Sequence, residues 1–290
     1  MASSESYHHG ELAAQKRAGV VREAAHVAAL LGAEIPRVAR TFLAAQPMVV
    51  VGAAGRDGAV WATMLTGEPG FLAVTGTSSI TVAATPAAGD PLHDVLAGPA
   101  RVGMIGIEPG TRRRVRMNGT SRPIPGGLRV DMDQVYANCP KYIQKRLPEY
   151  EPATPGIPRR GDRLTADEMD FVAAADTFFV ATTDAEGNAD ASHRGGNPGF
   201  LRALSPAHLR WPDYPGNAMF NTFGNLEVNP RAGLLLPDWS TGALLHLTGT
   251  AAVDWDAAER AVDFTIERVI RIDGASPLRW TDPEFSRFNP

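Results

Sequence analysis

The apolar positions of this chain follow a helical pattern at the start and a strand pattern afterwards. Over residues 13–31 few breakers occur. Val20, Val21, Ala24, Ala28 and Leu31 recur at three- and four-residue spacing, which predicts one helix stopped by Gly32. A second short helix is predicted over residues 36–45, with Pro36 suited to its first turn. Residues 48–53 and 177–182 are short apolar runs rich in β-formers. Each ends at a turn, Arg56-Asp57-Gly58 or Ala185-Glu186-Gly187, and each is followed by a second strand closed by Pro-Gly-Phe. Hairpins at this spacing predict small closed antiparallel barrels, in which no sheet edge is left open. Thr165 with Glu168 three residues on is a capping box for a short helix. Val262, Phe264 and Ile266 alternate with polar residues and predict a late strand. The tail, residues 277–290, is expected to pack along the surface without a regular element.

The two strand-rich stretches are copies of one another. Residues 42–71 lie on residues 171–200 without a gap, and ten of these thirty positions are identical, including Gly58/Gly187, Gly67/Gly196, Pro69/Pro198 and Phe71/Phe200. Average residue usage gives about two by chance. The match resumes at Arg101-Val102-Gly103-Met104-Ile105 against Arg231-Ala232-Gly233-Leu234-Leu235, and at Met117-Asn118-Gly119-Thr120 against Leu247-Thr248-Gly249-Thr250. A period of this length fits duplication of a whole domain rather than a solenoid repeat. The expected division is residues 1–150 for the helices and first barrel, 151–163 for a proline-rich linker, and 164–290 for the second barrel.

Composition narrows the function classes. The chain has 290 residues, enough for two domains that each bury a core. A net charge of −4 gives no overall basic field, so a generic nucleic-acid binder is disfavoured. The single cysteine, Cys139, excludes an internal disulfide and a cysteine-rich zinc site. No apolar run reaches the length of a membrane span, and the first residues do not read as a signal peptide. The expectation is a cytoplasmic protein with no membrane partner and no metal.

The chemistry is sought where the copies differ. Copy two reads Ser192-His193-Arg194-Gly195, where copy one has Thr63-Met64-Leu65-Thr66. Framework glycines and the proline serve the backbone in both copies. An arginine on a strand, replaced by leucine in the sister copy, points to something charged. Downstream, copy two carries Asn217, Asn221, Thr222 and Asn225. In copy one, Asn221 falls opposite Pro91 and Asn225 opposite Val95, with Asp90 and Asp94 alongside. Amides, hydroxyls, backbone N–H groups and an arginine can hold a phosphate monoester, which neighbouring aspartates would repel. Copy two is therefore the candidate anion site.

At these residues the sequence resembles the FMN-binding split-barrel family related to pyridoxamine 5′-phosphate oxidase. The Gly216-Asn217, Asn229-Pro230-Arg231 and Gly233-Leu234-Leu235-Leu236 runs are the most specific pieces. The resemblance reaches copy one through Val60-Trp61-Ala62 and the stretch from Cys139 to Gln144. It implies a mainly β protein with flanking helices, in which two tandem split β-barrels form an internal pseudo-dimer around one FMN. On this resemblance Ser192, His193, Arg194 and Gly195 would line the flavin, and Asn217, Asn221, Thr222 and Asn225 would hold its ribityl chain and phosphate. Lys141 would reach across from the first copy. His193 and Arg194 are the candidate catalytic residues of an FMN-dependent oxidoreductase acting on a small-molecule substrate or electron donor. A haem- or deazaflavin-binding protein and a non-catalytic electron carrier are the alternatives, and a homodimer beyond the internal pairing is left open. The chain departs from the family enzyme where a Ser-Arg-Lys run precedes Asn-Pro, since Asn221-Thr222-Phe223 stands there instead.

Plainer readings apply elsewhere. Arg112, Arg113, Arg114 and Arg116 read as a solvated hairpin tip, because a strand would alternate their faces. Lys141 also reads as a solvated lysine on a helix. His8 and His9 have no partners at metal-ligand spacing. No nucleophile elbow, Walker loop or dinucleotide fingerprint occurs, so redox chemistry would belong to a bound flavin.

Overall fold

A computed structural model describes residues 6–28, 31–137 and 139–290. The helix expected over residues 13–31 is two. Helix α1 (His9–Ala18) ends at Gly19, whose φ of 72° turns the chain before α2 (Val21–Ala28). Residues 29 and 30 lie outside the described residues, and Gly32 makes a bridge to Val135. Helix α3 (Arg37–Ala44) follows Pro36 as expected.

The first sheet comprises β1 (Met48–Ala54), β2 (Val60–Thr66), β3 (Leu72–Val74), β4 (Ser79–Val82), β5 (Ala100–Glu108), β6 (Arg113–Ile124) and β7 (Gly127–Ala137), with the short helix α4 (His93–Leu96) before β5. Strands β8 (Pro148–Tyr150) and β9 (Arg159–Gly161) come next, then helix α5 (Ala166–Ala174). Thr165 and Glu168 cap α5 reciprocally, as their spacing predicts. The second sheet comprises β10 (Thr177–Thr183), β11 (Ala189–Gly195), β12 (Arg202–Ser205), β13 (His208–Pro212), β14 (Arg231–Pro237), β15 (Leu244–Asp254) and β16 (Ala261–Ile272), with α6 (Asn221–Val228) before β14. Strand β17 (Leu278–Trp280) ends the chain's regular structure.

The duplication is visible in the topology. The first sheet runs β2-β1-β5-β6-β7-β4-β3 and the second β11-β10-β14-β15-β16-β13-β12, which is the same order strand for strand. Even the bulge recurs, between Asn118 and Gly119 in one sheet and between Thr248 and Gly249 in the other. In neither sheet do the first and last strands of the order pair, so each barrel is split rather than closed. Two further details differ from the sequence reading. The proline-rich stretch contains β9, which pairs with β16, and the tail contains β17, which pairs with β8.

Strands β1 and β10 are apolar on both faces because both faces are covered. Val49 and Val51 fill the first barrel, and Phe178 and Val180 fill the second. The opposite faces, Met48 and Val50 with Phe179 and Ala181, meet in a third core between the barrels. Gly103 and Gly233 let the backbones approach there. A Cβ on Gly103 would lie 2.4 Å from Asp190 Cα, and one on Gly233 would lie 2.7 Å from Trp61 Cα. No helix among the described residues is long and apolar enough to cross a membrane.

Candidate functional site

A cleft opens between the barrels, walled by β6 of the first and by β11 and α6 of the second. On β6 the odd residues Val115 and Met117 point into the first barrel's core. Arg114, Arg116 and Asn118 therefore share the outward face, and Arg114 and Arg116 line the cleft. This corrects the hairpin-tip reading: alternation puts residues two apart on one face, and that face looks at the other barrel.

Arg116 is buried and ion-paired to buried Asp190 on β11. Asn118 Nδ2, the Tyr136 hydroxyl and Ser192 Oγ also donate to Asp190, at 3.4, 3.3 and 3.3 Å. Burial would lower the guanidinium's pKa, but facing Asp190 and Tyr136 raises it. Burial pushes the Tyr136 phenol well above its ordinary value. A charge taken this far from water is held only when paired and hydrogen-bonded, which this one is.

Arg114 and Arg194 differ from it. Neither makes an ion pair with a carboxylate among the described residues. Arg114 donates to His193 Nδ1 at 2.9 Å, while its Nε is shielded from solvent and meets no acceptor. Burial, Arg116 and Arg194 together bring its pKa down to about 10. Arg194 donates to the His193 carbonyl at 3.2 Å. Its pKa too is lowered by burial, with Asp213 opposing, and Asp213 is itself paired to Arg260 at 2.6 Å.

His193 is buried, its ring edge-on to Phe179. Burial, then Arg114, then Arg194 hold its pKa well below the ordinary value, so the ring is neutral. Since a guanidinium can only donate, Nδ1 accepts and the proton sits on Nε2. Helix α6 brings its N-terminus to the cleft with no side-chain cap, and Thr222 donates to Ser192 Oγ at 3.2 Å.

The cleft thus brings together Lys141, Ser192, His193, Arg194, Gly195, Asn217, Asn221 and Thr222. Lys141 lies outside any helix, 5.9 Å from the Phe288 ring centroid. Asn217 turns its side chain onto Met219. Asn225 lies apart from this cleft: it donates to Thr182 Oγ1 at 2.9 Å, and its Oδ1 is 3.0 Å from His8 Nε2. Asn221 lines the cleft but spends its amide on Glu11, at 2.7 Å. Sequence reasoning missed Arg114, Arg116, Asp190, Tyr136 and Glu11, and only the period-two spacing on β6 gave a signal for the first two. No group of three His, Cys, Asp or Glu residues able to hold a metal occurs among the described residues.

Residues 164–276 match the family model described as pyridoxamine 5′-phosphate oxidase. No curated protein matches the chain significantly. Among solved structures, the chain is similar to a putative pyridoxamine 5′-phosphate oxidase from Lactobacillus delbrueckii, at 20% identity and a TM-score of 0.31 over 37% of this chain and 93% of that one. It is also similar to a FAD-binding protein from Mesorhizobium loti, at 15% identity and a TM-score of 0.29 over 41% and 99%. A third is HutZ, the heme storage protein from Vibrio cholerae, at 13% identity and a TM-score of 0.27 over 38% and 95%.

Proposed function

We propose, from the premise that the second barrel belongs to the pyridoxamine 5′-phosphate oxidase family, that this cleft binds FMN and that the protein is an FMN-dependent oxidoreductase. One observation carries the reading. Arg114 and Arg194 bring two cations without carboxylate partners into one cleft, beside an uncapped helix N-terminus. Arg114 also keeps a shielded N–H unbonded. A phosphate monoester supplies what they lack: negative charge and several acceptors. The cation absent from the α6 segment is thereby provided from β6, across the barrel interface.

Bound flavin would supply two-electron acceptor chemistry. The chain's own groups do the rest. Arg114 and Arg194 would hold the phosphate by charge-assisted hydrogen bonds. His193 offers Nε2–H as a donor and, being neutral, adds no competing charge. Ser192 and Thr222 offer hydroxyls, and the packed barrel faces keep water from the buried side.

The test is the absorption spectrum of protein purified without added cofactor, followed by FMN titration. Flavin bands are expected, and Arg194→Leu, the residue the first copy carries, should weaken FMN binding by at least about tenfold, the loss of one charged hydrogen bond. A Soret band, or unchanged affinity in the variant, overturns the reading.

A further inference from the structure

Helix α1 lies at the start of the chain, yet it packs on α6 of the second barrel. The two backbones nearly touch: a Cβ on Gly10 would sit 2.2 Å from the Gly224 carbonyl oxygen, and one on Gly224 would sit 2.5 Å from Glu11 Cα. Three side chains fasten the crossing. Glu11 accepts from Asn221 Nδ2 at 2.7 Å, His8 Nε2 meets Asn225 Oδ1 at 3.0 Å, and Gln15 Nε2 donates to the Met219 carbonyl at 3.0 Å. These bonds grip α6 at its first residue and at its middle, and also the loop that leads into it. Two asparagines that the sequence offers to a phosphate are instead spent on α1.

We infer that Glu11 and His8 are positioning residues of the cleft: α1 clamps α6, and so sets where the helix N-terminus and Thr222 stand. The clamp stands on geometry alone, and only its effect on affinity rests on the FMN reading. It also carries a pH signature. Glu11 is faced by His8 and Tyr7 from its own segment, Asn221 from α6, Asp190 from β11 and Arg116 from β6. Burial, with Asp190 adding to it, raises its carboxyl to about 7 from 4.5, against the bonds from His8 and Asn221 and the charge of Arg116. Docked α1 therefore holds a proton that undocked α1 has released. Between these two pKa values docking weakens as pH rises, and above about 7 the loss is complete.

The experiment pairs hydrogen exchange of the α6 amides in ligand-free protein with FMN titration across pH 5 to 8. Glu11→Ala should speed α6 exchange and weaken FMN binding by about tenfold, and His8→Ala, which removes the contact to Asn225 and the side-chain acceptor that caps α1 at the Gly10 N–H, by about threefold. Glu11→Gln should keep affinity near wild type and flatten the decline with pH. Since the phosphate's own ionisation acts equally on both proteins, the ratio of their affinities isolates Glu11. If α6 exchange is unchanged in both Glu11→Ala and His8→Ala, or the Gln variant tracks wild type at every pH, the clamp is overturned. Faster exchange with no FMN bound even by wild type leaves the clamp standing and removes the ligand reading.

Discussion

The molecule contains the same cleft twice, and only one copy is open. In the open one, β11 presents Ser192, His193 and Arg194 to β6, which presents Arg114 and Arg116. By the internal repeat, the counterpart places Thr63, Met64 and Leu65 of β2 against Leu244 and His246 of β15. There Met64, Leu65 and Leu244 are buried in cores, and His246 is fully buried. Its Nδ1–H donates to the Ala62 carbonyl at 2.9 Å. Asp90 takes the hydroxyl of Thr63 and the N–H of Leu92, the latter at 2.8 Å, with His246 Nε2 4.0 Å away. The sealed cleft supplies its own negative charge and its own acceptor. The open one keeps two cations, Arg114 and Arg194, with no carboxylate ion pair among the described residues. One scaffold thus shows the same position left open in one copy and filled by side chains in the other.

The sharpest break in this comparison is at Arg116. It is ion-paired to Asp190, which has no second ion-pair partner among the described residues. Arg116→Met strands a buried carboxylate and should cost about 3–5 kcal/mol, read as a lower urea midpoint at unchanged slope. Arg116→Met with Asp190→Asn should recover most of the loss. A single variant as stable as wild type would show that this pair does not hold the interface.

A smaller effect is expected on the sealed side. Asp90→Ala leaves the Thr63 hydroxyl and the Leu92 N–H without their acceptor and should cost about 1–3 kcal/mol in urea unfolding. FMN should still bind once per chain with unaltered affinity. A change in that stoichiometry would mean that the two clefts are not functionally distinct.

Much of this was legible beforehand, for reasons particular residues show. The repeated Gly-x-Pro-Gly-Phe and Arg-x-Gly runs are local backbone requirements, so they survive in both copies and announce the duplication. Ser192, His193 and Arg194 stand out because the sister copy lacks them. What stayed hidden was everything that depends on the pairing of barrels. Arg114 and Arg116 read as a polar tip until β11 is set against them. Asn225 looks like a ligand residue until α1, some two hundred positions earlier, is laid across α6. A sequence records which residues differ between copies. It does not record which face of one copy meets the other.

The smallest effect expected is also the most local. His193 stands where the sealed cleft has Met64, and its neutrality is maintained first by burial and then by Arg114 and Arg194. With its pKa held below the ordinary 6.5, the unfolded chain takes up this proton before the folded one does. Folded stability therefore declines as pH falls below about 6.5, down through the depressed value. Arg114→Met removes the second of these causes and leaves the first. The imidazole should then titrate at higher pH than in wild type, though still below an exposed histidine, and the stability lost on acidification should shrink. Following the His193 Cε1 proton by NMR across the titration measures this directly. The same variant frees Nδ1 from its guanidinium donor, so the preference for the Nε2–H tautomer should weaken in the ring nitrogen shifts. If the titration does not move, Arg114 does not govern this ring, and its lowered pKa would have to come from burial and Arg194.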